Sequence, residues 1–225
     1  MLNDLLKIAF PSNCTTCNSS LLKGEKHLCT SCLFHIPKGD KELTVNSETG
    51  KLLCNSPNFK GSTHLFFFDK EAKTQKILHQ LKYKSNPDFG IYLGELIGAD
   101  FNQNLKNIDY IIPVPLHPKK LYQRGFNQSE LLANGIRNLT NLDVLTNILI
   151  RNRHTETQTK KGKAERIKNI QGAFEIKNQE ILKHKKILLI DDVITTGSTI
   201  NECIKELDKI DGISIYVISL AVASY

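Results

Sequence analysis

Two adjacent carboxylates, four hydroxyls and one glycine stand close together in Ile190-Asp191-Asp192-Val193-Ile194-Thr195-Thr196-Gly197-Ser198-Thr199. The apolar run Lys186–Ile190 before them reads as a buried strand, and Thr199–Ile210 after them has the 3.6-residue period of a helix. A strand would thus deliver two acids to a sheet edge, and a hydroxyl-rich turn would open a helix. Gly197 lets backbone approach a ligand closely. Thr195, Thr196, Ser198 and Thr199 supply hydroxyl and N–H donors, and the helix start adds its positive end, so a phosphate fits there. Asp191 and Asp192 would repel that phosphate at contact distance. They suit sugar hydroxyls or a hydrated Mg²⁺ a few ångströms away. The segment describes a site for a sugar phosphate. It lacks the order of a Walker A loop and of a dinucleotide fingerprint. A plain polar-capped turn would account for the hydroxyls but not for two adjacent acids ending a buried strand.

Two basic stretches precede this segment. Pro113–Gln128 offers Lys119, Lys120 and Arg124 as cations and Gly125 for a tight turn, which suits a diphosphate. The stretch 151–168 (RNRHTETQTKKGKAERIK) carries seven Lys/Arg against two Glu, with Ile167 its only strongly apolar residue. It reads as a mobile loop whose Arg153, Lys163 and Arg166 could close over an anion. The competing reading of both stretches is an ordinary solvated basic surface.

Six cysteines occupy positions 14, 17, 29, 32, 54 and 203. Cys14-Thr-Thr-Cys17 and Cys29-Thr-Ser-Cys32 are two C-x2-C knuckles separated by eleven residues, spacing that completes a tetrahedral S4 shell for structural Zn²⁺. Disulfides or a redox dithiol are the alternatives, disfavoured by a reducing compartment and by the doubled motif. Cys203 falls on an apolar helical face and reads as core; Cys54 reads as no ligand.

The 225 residues are 40% hydrophobic and 24% charged, which excludes wholesale disorder and collagen-like structure. The net charge of +7 suits phosphate-bearing partners. Neither a bilayer-length apolar run nor a secretory signal is visible, so the expected location is cytoplasmic. Residues 1–57 read as a zinc module with a polar, irregular linker over 37–59, and 58–225 as the main body. In that body the spacing predicts strands over Thr63–Phe68, Asp109–Val114, Lys186–Ile190 and Ile213–Val222. Helices are expected over Ala72–Tyr83, Asp88–Phe101, Asn127–Leu139 and Thr199–Ile210, the third opened by an Asn127-x-x-Glu130 capping box and with Leu131, Leu132, Gly135, Ile136 and Leu139 on one side. Alternating strands and helices argue for an α/β fold, a largely parallel sheet with helices on both faces, whose ligand sits beyond the strands' carboxyl ends.

The stretch IDDVITTGST resembles the phosphoribosyl-diphosphate (PRPP) signature of type I phosphoribosyltransferases. The resemblance implies that Asp191 and Asp192 contact the ribose diol, that Thr195 to Thr199 hold the 5-phosphate, and that Mg²⁺ accompanies PRPP. With CTTC, CTSC, LKYKSNPDFGIYLGE, IPVPLHPKKLYQRGFNQSELLA and RHTETQTKKGKAERIKNIQGAF, the chain is similar almost end to end to the ComF-type competence-protein family. That implies a cytoplasmic bacterial protein, linked to competence proteins and to incoming single-stranded DNA during natural transformation. No separate base-recognising hood is visible beyond what lies between the linker and Ile108. Two functions follow. One is a phosphoribosyltransferase in which Arg124, Lys119 and the loop cations stabilise departing diphosphate. The other is a non-enzymatic single-stranded-DNA binder that keeps PRPP as a sensor or scaffold ligand. In the second, Lys160, Lys161 and Lys163 track phosphates, and some of Tyr83, Phe89, Tyr92, Tyr122 and Phe126 stack bases.

Overall fold

The computed structural model describes residues 12–53, 56–68, 73–83, 86–152 and 170–223. In chain order it contains α1 (Thr30–His35), β1 (Phe59–Phe68), α2 (Lys73–Tyr83), α3 (Pro87–Asp100), α4 (Asn102–Leu105) and β2 (Tyr110–Pro113). There follow α5 (Pro118–Arg124), α6 (Gln128–Thr140), β3 (Asp143–Val144), β4 (Leu149–Arg151), β5 (Phe174–Ile176), β6 (Lys186–Ile194), α7 (Ser198–Leu207) and β7 (Ser214–Ala223). Five strands pair in parallel in the order β1-β7-β6-β2-β3, and β4 with β5 forms a small antiparallel pair.

The central strands are covered on both sides, which is why β6 and β7 read as nearly continuous apolar runs rather than alternating ones. Leu188 and Ile190 of β6 face one core with Ile77 of α2, Leu93 of α3 and Ile136 of α6. Ile187 and Leu189 face the other, with Ile200, Ile204 and Leu207 of α7. Cys203 is fully buried there, as its helical position predicts. Helices α3 and α6 lie unusually close. An added Cβ at Gly94 would come 2.2 Å from the Leu132 carbonyl oxygen, and one at Gly135 would come 2.0 Å from that of Ile91.

Helix starts follow their caps. Asn86 accepts from the Phe89 N–H beside Pro87 at the head of α3. The Asn127 side chain accepts from the Ser129 N–H and donates to the Val114 carbonyl, pinning α6 to the end of β2. Glu130 bonds the Asn127 side-chain amide. Leu139, expected to be inward, is exposed; the buried face of α6 ends with Gly135 and Ile136.

Two further differences concern continuity. Strand β6 runs on to Ile194, so Asp191 and Asp192 lie within it rather than after it. The irregular stretch after the cysteines is no free tether. It runs antiparallel along the outer edge of β1 through Phe67 N–H to Pro37 O, Gly39 N–H to Leu65 O and Ser62 N–H to Thr44 O. It covers a strand edge that would otherwise invite pairing with other chains. The cysteine region packs into the first core, with Cys14, Leu28 and Cys32 clustering with Phe89 and Leu93. The His27 ring lies 5.3 Å from both Phe89 and Tyr92, and Lys38 pairs with Asp100 at 2.7 Å. No described helix is long and apolar enough to cross a membrane.

Candidate functional site

β2 and β6 are neighbours, with Pro113 opposite Ile190. From β2 the chain leads through α6, on the first face, to β3 on one side. From β6 it leads through α7, on the second face, to β7 on the other. The connections therefore diverge between these strands and leave a crevice at their carboxyl ends, where α/β sheets bind ligands. The basic segment follows β2 and the acid–hydroxyl segment follows β6, so topology brings together stretches more than sixty residues apart in the chain.

On the β6 side, Asp191 Oδ1 accepts from Ser129 Oγ at 3.1 Å and from the Asp192 N–H at 2.9 Å. Burial, reinforced by the Asp192 carboxylate, pushes Asp191 up to about 7 against the opposing pull of those bonds and of Lys82. Asp192 Oδ2 pairs with Lys82 Nζ at 2.9 Å. Beyond them Thr195 to Thr199 line a cavity of ≈ 30 Å³ together with Asp191. Gly197 sits at φ +72°, a conformation other residues rarely adopt, and is the N-cap of α7. Having no side chain, it leaves the first turn of α7 without a side-chain cap, the condition in which an anion can take those N–H groups. Thr196 and Ser198 hydroxyls bond each other at 2.8 Å.

On the β2 side, the basic stretch Pro113–Gln128 contains helix α5, with Gly125 closing it through its N–H to Leu121 O. Lys119 is exposed; Lys120 and Arg124 are half-buried. Burial, with Arg151, Arg124 and Lys82 nearby, lowers Lys120 to about 8 despite the counter-pull of Asp192. Arg124 donates to Gln128 Oε1 at 2.8 Å and stands 5.8 Å over the Tyr83 ring. Arg151, at the end of β4, is buried and lies 5.4 Å over Phe174. A lysine whose charge is disfavoured by neighbouring cations marks a place where an added anion is favoured.

Lys82, Ser129 and Arg151 were not singled out in the sequence. Lys82 ends a helix far earlier in the chain. Ser129 looks like an ordinary first-turn residue, and Arg151 lies in a basic stretch that gave no reason to prefer it. Arg153, Lys163 and Arg166, with Lys160 and Lys161, lie outside the described residues. Of the proposed base-stacking residues, Phe89 is fully buried core and Tyr92 packs against His27, whereas Tyr83 and Tyr122 are 64% and 91% exposed.

The second cluster is a set of four thiols. The sulfurs of Cys14, Cys17, Cys29 and Cys32 all lie within 4.8 Å of one another, with Cys17 and Cys29 at 3.7 Å, and none is in a disulfide. Zn–S bonds of ~2.3 Å in a tetrahedron put sulfurs ~3.8 Å apart, so the donor set fits Zn²⁺. The Cys29 N–H donates to Cys14 Sγ and the Cys32 N–H to Cys29 Sγ, as in thiolate knuckles. Burial raises Cys14, but N–H and hydroxyl donors from Cys17, Thr16 and Cys29 outweigh it and bring the thiol to about 5. For Cys29 the Cys32 N–H pulls down, yet burial and the neighbouring sulfurs push it to about 12. Four crowded thiols cannot all ionise alone; a metal ion at their centre removes that conflict.

A phosphoribosyl transferase domain profile matches residues 126–223. Competence protein F of Haemophilus influenzae is 32% identical over 211 residues, spanning 92% of this chain and 83% of that protein. The chain belongs to the competence protein F family. DNA utilization protein YhgH of Escherichia coli O157:H7 is 31% identical over 131 residues, 56% of this chain and 57% of that protein. Among solved structures, adenine phosphoribosyl transferase from Trypanosoma brucei is similar at 13% identity and a TM-score of 0.40, over 75% of this chain and 85% of that one. In this member of the competence protein F family, a parallel, phosphoribosyltransferase-like sheet is joined to a cysteine cluster able to hold a metal ion.

Proposed function

We propose that the protein binds PRPP in the crevice between β2 and β6 and serves DNA uptake or use. One observation carries the reading. The acid–hydroxyl turn and the cations Lys82, Lys120, Arg124 and Arg151 gather at the divergence of one sheet. Thr195 to Thr199 and the head of α7 hold the 5-phosphate; Asp191 and Asp192 accept from the ribose hydroxyls. Lys120, Arg124 and the exposed Lys119 receive the diphosphate. Lys82 is free to exchange Asp192 for that anion as the acids turn to the sugar. Asp191 and Asp192 would hold Mg²⁺, which would supply positive charge to offset that of the diphosphate.

Loss of diphosphate would break the C1–O bond, with the electron pair leaving on the diphosphate oxygen. An acceptor nucleophile would form the new bond to C1 and give up its proton to solvent. The chain's contribution is to fix both ends of the ligand and to stabilise the leaving charge with preorganised cations. The names of the relatives, a competence protein and a DNA utilization protein, support the DNA connection.

The decisive experiment is calorimetry with PRPP and Mg²⁺. Wild type is expected to give a saturable heat that is lost in Asp191→Ala/Asp192→Ala; equal heats from both would refute the site. Diphosphate release on adding nucleobases or DNA separates a transferase from a sensor.

Exposed Tyr83 and Tyr122, beside Arg124 and Lys119, favour a second reading in which the same rim binds single-stranded DNA. Affinity for an oligothymidine should then fall steeply with salt and weaken in Tyr83→Ala/Tyr122→Ala.

A further inference from the structure

We infer that Asn201 and the carbonyl of Leu52 form a positioning pair that holds turn 195–199 in its phosphate-accepting shape, supported by the strap of chain along β1. The inference rests on the sugar-phosphate reading of that turn.

Gly197 and the strap are in direct contact. A Cβ at Gly197 would stand 2.3 Å from Leu52 O, so the glycine is needed for its φ of +72° and also to admit another stretch of backbone. Asn201, in the first turn of α7, grips both parties. Its backbone N–H donates to Gly197 O at 2.8 Å, and its side-chain amide donates to Leu52 O at 3.2 Å.

The strap is itself firm at this point. Gly50–Leu52 is a 3-10 turn whose Gly50 N–H donates to Ser47 Oγ at 2.9 Å, and Leu53 N–H closes onto Gly50 O. Ser47 bonds Ser62 of β1 at 3.0 Å and Thr49 bonds His64 of β1 at 2.9 Å, all four residues being buried. Farther on, Ser56 Oγ donates to Asp208 Oδ1 at 2.5 Å, just past the end of α7. Residues 47–53 and Ser56 therefore meet α7 at its two ends.

The physical consequence is preorganisation. A turn of hydroxyl residues around a left-handed glycine has many conformations, and a ligand that must order it loses that free energy from binding. Here the strap restricts the turn before the ligand arrives. The pair touches no reacting atom and acts through the turn.

The test uses the full chain and two probes, ribose 5-phosphate and inorganic diphosphate, titrated into wild type and Asn201→Ala. Ribose 5-phosphate affinity is expected to fall about five- to ten-fold, the effect of one neutral hydrogen bond, while diphosphate affinity stays within about two-fold. In wild type, ribose 5-phosphate should slow hydrogen exchange across residues 50–53. Equal ribose 5-phosphate affinities in the two proteins would overturn the pair, as would equal losses for both probes, the mark of a merely structural bond. A wild-type exchange profile over 50–53 indifferent to ribose 5-phosphate overturns it without any variant. Failure of wild type to bind ribose 5-phosphate at all is a separate result, which rejects the site itself and the pair with it.

Discussion

Asp191 and Lys120 each have a charged form that the crevice disfavours. Asp191, raised to about 7 by burial and by Asp192, prefers its proton in the folded state. Its contribution to stability is therefore complete below the unfolded carboxylate range and lost as pH rises through about 7. Asp191→Asn should raise the melting temperature at pH 8 and flatten its fall between pH 5 and 7; scanning calorimetry at several pH values reads both. Lys120, lowered to about 8 by burial and by Arg151, Arg124 and Lys82, is regained as a cation when an anion sits beside it. Diphosphate affinity should consequently decline as pH rises through about 8, and Lys120→Met should remove that inflection. The acids and hydroxyls were legible because such residues rarely end an apolar run without reason. Lys82, Ser129 and Arg151 were not, because their importance lies in what the fold sets beside them.

The helices and strands were legible to the extent that they bury a face. The strands β1, β2, β6 and β7 and the helices α2, α3, α6 and α7 all emerge from apolar periodicity, with ends displaced by a few residues. Helix α5 did not, because it buries no residue and so has no apolar pattern to show. Nor was the depth of the α3–α6 contact visible. Gly94 and Gly135 look like helix-weakening residues in a string, yet each admits the opposing backbone. Gly135→Ala gains helix propensity but meets Ile91 O at 2.0 Å, so a net loss of roughly 1–3 kcal/mol is expected by denaturant titration. Because α6 also carries Ser129 and the Asn127 anchor to Val114, the same substitution should weaken PRPP binding.

For the molecule as a whole, the cysteine cluster and the sheet share one core. Cys14, Cys29 and Cys32 are buried in the cluster that holds Phe89 and Leu93, so a metal there ties the amino-terminal region to α3. One Zn²⁺ per chain is expected by metal analysis. Chelation should lower the melting temperature, and the metal should be released as pH falls and the thiolates protonate. A folded, metal-free protein of unchanged stability would contradict this.

Local chemistry was readable in the chain because it depends on neighbours in sequence: knuckle spacing, a strand leading into paired acids, a glycine among hydroxyls, and the family these resemble. Everything that needed two distant stretches came from the folded chain. The β2–β6 divergence sets cations against acids, Lys82 reaches Asp192, and the polar stretch after the cysteines becomes a strap whose Leu52 carbonyl braces Gly197. Periodicity records which face of a segment is buried; strand order and the path of an irregular segment depend on long-range packing and backbone hydrogen bonds, which leave no periodic trace in the residues that make them.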